Sequence, residues 1–363
     1  MAMTMMCVAA LCAGCVGHWD DFSTAGDVPV SENRQGASLQ GLAHSDIKPG
    51  PVESEATVIG VEVLDVTIPA SLHAQGLAVP GKLVRPRWSR KVGKRPAMMV
   101  LHGSGGLLQM PRSKSDRPCS PQMEDQFATW SHRLARLGYT VLLPSSYSAR
   151  GFCDKHTDAA RIPKTFDDRS EQIVGRFYDV DAAARFFCDR PEVDCDRMGL
   201  LGFSQGGTMV MVALHWQLDH ALDYFRKTRG KKFDITIPDV KPGRPAFQMG
   251  VAYYPGCGFD GFIPLSKSKK KPVFNKFYAT APLTILHGGR DSLVVHCSTR
   301  YGPGRRQIQS RQVARQLKVD DIYDVTVYPG ARHSFDLAGR KGADAAARDA
   351  ALKVTLDKIA SQL

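Results

Sequence analysis

The sequence predicts an α/β protein, a mostly parallel central sheet with helices on both faces. Three observations carry that expectation. Short runs that are apolar on every face recur along the chain, bounded by glycine or proline, which is how buried parallel strands read. Longer stretches with helical spacing of apolar residues lie between them. Strand and helix alternate, and that order builds a parallel sheet with right-handed crossovers and its site at the carboxyl ends of the strands.

Taken in order, Val58–Ile68 alternates apolar and polar residues as a half-buried strand does, and Lys82-Leu83-Val84 is a second short strand before a Pro- and Lys-rich turn. Residues 96–101 form a continuous apolar run that ends in His102-Gly103-Ser104-Gly105-Gly106. Residues 123–137 have helical spacing and stop at Gly138, and Thr140–Pro144 is the next buried strand. An amphipathic helix is expected over 168–187, a strand over 198–203 and a helix over 205–218. Strands at 249–254, 283–286 and 323–328 and a closing helix at 343–363 complete the pattern. Residues 218–245 and 259–278 read as insertions at the site end of the sheet. No internal repeat is visible, and one domain over residues 56–363 accounts for the whole.

Ahead of that domain, no stretch reaches the length of a bilayer span. The longest apolar run, residues 5–16, has the size of a signal-peptide core, so residues 1–15 are expected to be a leader. In Leu11-Cys12-Ala13-Gly14-Cys15, small residues precede a cysteine as they do where a bacterial lipoprotein leader is cut, which makes Cys15 a candidate lipid-bearing residue and membrane anchor. The leader lacks Lys or Arg before its apolar core, and Cys12 stands where such leaders usually carry Leu. Export to the periplasm or envelope is therefore weighed against a cytoplasmic enzyme with an N-terminal extension. Residues 16–55, rich in Gly, Ser, Asp and Pro, read as a flexible linker.

The 363 residues carry a formal net charge of +12. The basic residues are scattered and no aromatic residues interleave them, so no nucleic-acid surface is expected; solvated loops attracted to an anionic envelope or an acidic substrate fit better. Nine cysteines are present, three of them before residue 16, which leaves Cys119, Cys153, Cys188, Cys195, Cys257 and Cys297. An even number in an exported chain points to disulfides, and Cys188 and Cys195 are close enough to pair across the Asp189-Arg190-Pro191 turn. No spacing matches a metal site, so no metal is expected.

Residues 202–206 read Gly202-Phe203-Ser204-Gln205-Gly206 after a buried strand. This is the Gly-x-Ser-x-Gly pattern of a nucleophile elbow, a strand-to-helix turn so tight that a side chain two residues either side of the serine would collide with backbone. A serine hydroxyl is a poor nucleophile at neutral pH and needs a histidine base and a carboxylate to hold that base in the right tautomer. After the elbow come Asp291, in Leu286-His287-Gly288-Gly289-Arg290-Asp291, and His333, in Gly330-Ala331-Arg332-His333-Ser334-Phe335. Both follow strands, and the order serine, acid, histidine makes Ser204, Asp291 and His333 the candidate catalytic residues. Asp336 would have to fold back past His333, and Asp320 and Asp321 precede the last strand; His287 and His296 would leave the last loop without a role, and His102 is expected to brace its own loop. The developing oxyanion needs backbone donors: the N–H of Gln205, directly after the nucleophile, and the N–H of Ser104 in the glycine-rich loop, with Gly103 and Gly105 as alternatives.

At these residues the chain resembles the dienelactone hydrolase family of the α/β-hydrolase superfamily. The resemblance rests on residues 101–106, Gly138-Tyr139 with Leu142-Leu143-Pro144, the elbow, Tyr254-Pro255-Gly256-Cys257, Asp291, and residues 328–330 through 333–336, and it covers about residues 58–361. It implies the α/β-hydrolase fold and a small, mostly lidless hydrolase of esters or lactones that works without a cofactor. The name-giving enzymes use a cysteine nucleophile, so Ser204 places this chain among serine-bearing relatives and away from dienelactone itself. The resemblance further implies that Tyr147 and Arg150 lie near a substrate carboxylate, and that Cys257 and Cys297 pair beside Asp291. The expected function is a serine esterase acting through an acyl-enzyme on a small-molecule ester or lactone. An acyltransferase or peptidase with the same three residues, or a non-catalytic envelope binding protein on the same fold, are the alternatives. The sequence sets no oligomeric state.

Overall fold

The computed structural model describes residues 56–111, 119–166, 169–225, 227, 245–259, 276–300 and 302–363. The expected leader at 1–15 with Cys15, the linker at 16–55 and most of the two expected insertions lie outside the described residues.

The chain begins with β1 (Val58–Ile68) and β2 (Val79–Trp88), an antiparallel pair, followed by β3 (Arg95–Leu101), α1 (Asp125–Arg136) and β4 (Thr140–Pro144). Next come α2 (Arg169–Cys188), β5 (Val193–Phe203), α3 (Gln205–Ala213) and α4 (Leu218–Phe225). The last third holds β6 (Met249–Tyr253), β7 (Leu283–Gly288), a two-residue pair β8 (Ser298–Thr299) and β9 (Gly302–Pro303), α5 (Arg305–Leu317), β10 (Tyr323–Tyr328) and α6 (Ala343–Gln362). Eight strands form one sheet in the order β1-β2-β4-β3-β5-β6-β7-β10. Only the pairs with β2 are antiparallel; every other pair is parallel, as the sequence pattern predicts.

Strand β3 shows why. Its seven residues are all buried, and they divide by the period of two between two cores: Ala97, Met99 and Leu101 pack with α2, α3 and α4, while Met98 and Val100 pack with α1 and α6. A strand apolar on both faces requires a helical layer on each side, and the two hydrophobic clusters are those layers.

Differences from expectation are local. The expected helix over 205–218 ends at Ala213, because the chain beyond it leaves the helical path to pair with a neighbouring segment: the Trp216 N–H donates to Tyr278 O (3.0 Å), and His215 and Ala279 form an isolated bridge; α4 then begins at Leu218, inside the first expected insertion. Helix α5 was not expected at all. Among the described residues no helix is long and apolar enough to cross a membrane. Among the described residues three disulfides are present: Cys188–Cys195 and Cys257–Cys297, as expected, and Cys119–Cys153.

Candidate active site

Ser204 stands between the end of β5 and the first residue of α3, with φ 52° and ψ −115°. A non-glycine residue at such a φ is strained and persists only where its surroundings dictate it. The flanking glycines show the constraint. A Cβ on Gly202 would lie 2.3 Å from Gly206 O, and one on Gly206 would lie 2.1 Å from Leu101 O; both obstacles are backbone and cannot move aside. The Ser204 N–H donates to Tyr253 O of β6 (2.9 Å), which pins the turn to the sheet.

The acid and the histidine reach the serine because two loops are forced together. A Cβ on Gly288, at the end of β7, would lie 2.6 Å from Ala331 O and 2.7 Å from Arg332 O, and the Arg290 N–H donates to Ala331 O (2.8 Å). The loop after β7 therefore lies directly on the loop after β10. Arg332 fixes the far side: its N–H and guanidinium bind the carboxylate of Asp344 in the first turn of α6 at 2.7 and 2.8 Å. Between these anchors His333 Nδ1 donates to Asp291 Oδ2 (2.6 Å), and its Nε2 lies 3.0 Å from Ser204 Oγ. A carboxylate can only accept, so Nδ1 carries the proton and Nε2 is left to accept from the serine. Asp291 Oδ1 accepts from the Leu293 N–H (2.9 Å), which orients the carboxylate. Burial raises the pKa of Asp291, but the His333 hydrogen bond and charge outweigh it, and the carboxyl lies below its ordinary range.

Ser204 and His333 open onto a cavity of about 860 Å³, lined also by Gly103, Ser104, Gly105 and Gly106, while Asp291 lies buried behind His333. A Cβ on Gly103 would stand 3.3 Å from Ser204 Cβ, so the glycine-rich loop passes close against the nucleophile. The Gly106 N–H donates to Gly103 O (3.2 Å), which removes it as a donor to the cavity. The N–H of Gln205 opens α3, where the first helical amides have no intrahelical partner.

The rival candidates are engaged with other partners. His102 is fully buried and its Nδ1 donates to Gly103 O (2.8 Å); burial and the charge of Arg176 hold its pKa well below the imidazole range, so it braces the loop as a neutral ring. His287 is buried against Pro255 O and Gly288 O. Asp336 turns from His333 and accepts from the Tyr254 hydroxyl (2.5 Å) and Gln126 Nε2 (2.7 Å); burial raises its pKa despite both bonds.

Tyr147 and Arg150 lie away from the cavity. The Tyr147 ring is buried, with its hydroxyl donating to Gln205 Oε1, and Arg150 binds both oxygens of the buried Asp179 (2.8 and 3.2 Å). Both side chains point into the packing beneath the elbow.

Sequence reasoning missed the Cys119–Cys153 pair, which elimination from the other two pairs could have supplied. It also missed the network under the elbow, in which Arg176 Nη1 donates to Gln205 Oε1 (2.8 Å) and Gln205 Nε2 to Gln172 Oε1 (2.7 Å). Nothing in the helical pattern of α2 marks Arg176. The charge of the lining is a further surprise. It carries five carboxylate side chains, Glu124, Asp125, Asp154, Asp336 and Asp349, against the two guanidinium groups of Arg133 and Arg348. Burial, with Asp125 and Asp154 nearby, raises the pKa of Glu124.

Comparison with known proteins follows the same lines. The model of the dienelactone hydrolase family matches residues 121–242 and 235–362. A candidate dienelactone hydrolase from Klebsiella pneumoniae is 19% identical, with a TM-score of 0.51 over 83% of this chain and 99% of that one. A dienelactone hydrolase-like promiscuous phosphotriesterase from metagenomic libraries is 17% identical, with a TM-score of 0.50 over 84% and 99%. Both share the α/β-hydrolase fold with this chain. No curated protein matches its sequence.

Proposed function

The chain belongs to the dienelactone hydrolase family, and from that premise we propose that it is a serine hydrolase that cleaves carboxylic esters or lactones through an acyl-enzyme on Ser204. The observation that carries the reading is the continuous relay Ser204 Oγ, His333 Nε2, His333 Nδ1, Asp291 Oδ2, at 3.0 and 2.6 Å. Ser204 attacks the carbonyl carbon as its proton passes to His333 Nε2. The charge that develops on the carbonyl oxygen is held by the N–H groups of Gln205 and Ser104, each worth about 3 kcal/mol in comparable sites. His333 then gives its proton to the departing alkoxide, leaving the acyl group on Ser204. Water attacks that ester with His333 again taking the proton, and the acid and free serine result. Throughout, the low pKa of Asp291 keeps a negative charge against the imidazolium.

The test pairs a fluorophosphonate probe with hydrolysis of short p-nitrophenyl esters. The chain should be labelled and should turn the esters over, and Ser204→Ala should lose both by at least about 10³-fold with the fold intact. Unchanged turnover in Ser204→Ala would overturn the mechanism. Tight binding of an ester without turnover would favour the binding-protein alternative, and transfer to an added alcohol in preference to water would favour an acyltransferase.

A further inference from the structure

Arg176 is the most deeply buried cation near the elbow, on the face of α2 that packs under the sheet. Burying a guanidinium is costly, and apolar residues in such places are often neutral or stabilising by comparison. Stability alone is a poor reason for an arginine here, so its partners matter. Nη1 donates to Gln205 Oε1 (2.8 Å) and Nη2 to His102 O (2.6 Å), and the guanidinium stands 5.5 Å from the centre of the Tyr147 ring. The charge of Asp179 lies close by, but that carboxylate is engaged by Arg150 and His73.

The two acceptors are not arbitrary. Gln205 supplies one of the amides assigned to the oxyanion. His102 O belongs to the peptide that enters the glycine-rich loop, and because a peptide is planar, holding that oxygen also fixes the opposed N–H of Gly103 and the path into Ser104. One rigid, forked side chain thus touches both segments that provide oxyanion donors. We propose that Arg176 is a positioning residue for the oxyanion site, bridging the glycine-rich loop and the start of α3 so that their amides face one point. The proposal rests on the serine-hydrolase reading above. Lysine could satisfy one of these acceptors but not both in the same geometry.

The variants are Arg176→Lys and Gln205→Met; the second removes one arm of the bridge, together with the bonds of Gln205 to Tyr147 and Gln172, and leaves Arg176 and its bond to His102 in place. Each is compared with the parent chain for kcat and KM on a p-nitrophenyl ester, affinity for an arylboronic acid, whose tetrahedral adduct on the serine mimics the oxyanion, and Tm. Both variants should lose at least tenfold in kcat with KM within twofold, and boronic acid affinity should fall by a similar factor. A merely structural role would lower Tm and leave kcat and boronic acid affinity of the folded fraction unchanged, and that result would overturn the inference. If Arg176→Lys does not fold, Gln205→Met decides: kcat within twofold of the parent ends the proposal. A parent chain that neither hydrolyses esters nor takes the fluorophosphonate label would sink the serine-hydrolase reading and this one with it, whereas an active parent with active variants sinks only the role of Arg176.

Discussion

Asp291 divides its two oxygens between the Leu293 N–H and His333, and that division makes Asp291→Asn an informative change. An asparagine could keep its oxygen on Leu293 only by aiming its NH₂ at His333 Nδ1, which would then have to accept. The proton would move to Nε2, and Nε2 could no longer take one from Ser204. We expect kcat to fall by about 10³- to 10⁴-fold with KM and Tm nearly unchanged, read by steady-state kinetics and thermal melting; a loss under tenfold would show that Asp291 does not set the tautomer. Ser204, Asp291 and His333 were legible in the sequence because each constraint on them is local: the glycines around the elbow, and loops that must follow strands. The placement of Tyr147 and Arg150 away from the cavity was not legible for the complementary reason. Tyr147 precedes and Arg150 ends a short 3-10 turn at Ser148–Arg150, and sequence offset does not say on which side of such a turn a side chain emerges. Buried polar partners decided it, Gln205 for one and Asp179 for the other.

At the scale of elements, apolar periodicity recovered the strands and failed where the buried face of a helix is polar. Helix α5 turns Arg306 and Ser310 inward beside Val313 and Ala314, with Arg306 Nε donating to Cys257 O (2.9 Å) and its guanidinium over the Phe259 ring. An interior face built this way leaves no hydrophobic stripe to find. A second polar junction ties three elements together: Asp179 of α2 accepts from Arg150 in the loop after β4 and from His73 in the connection between β1 and β2 (3.0 Å). Burial raises the carboxyl, but Arg150 and His73 bring it down to about 2, below its ordinary 3.8. The folded value lies below the unfolded one, so the junction contributes its stability above pH 3.8 and loses it as pH falls through about 2. That difference corresponds to roughly 2 kcal/mol. Asp179→Asn leaves Arg150 buried without its carboxylate and should cost about 3 kcal/mol at pH 7. Because the variant has no carboxylate to titrate, its deficit against the parent should narrow between pH 4 and pH 2 in urea unfolding. A deficit constant over that range would contradict the assignment.

For the whole molecule, the summed charge does not report the charge of the site. A net charge of +12 made an acidic substrate reasonable, yet the cavity beside Ser204 is lined by more carboxylates than guanidinium groups, a distribution that the summed charge cannot reveal because only folding sorts residues between surface and cavity. The three disulfides among the described residues agree with the reading of the cysteines and suit an oxidising compartment. Charge in the substrate should therefore act in the direction opposite to the chain's own. A unit charge about 4 Å from an unpaired carboxylate in a solvated site is worth about 1 kcal/mol or more, so an ester carrying a trimethylammonium group should be cleaved with kcat/KM at least about fivefold above its uncharged tert-butyl isostere at low salt, and the carboxylate-bearing analogue should be poorer than either. Raising ionic strength shortens the screening length to about 3 Å at 1 M, which should draw the three rates together while leaving the neutral ester nearly unchanged. Preference for the anionic ester, or a ranking indifferent to salt, would mean that the lining carboxylates do not act on the bound substrate.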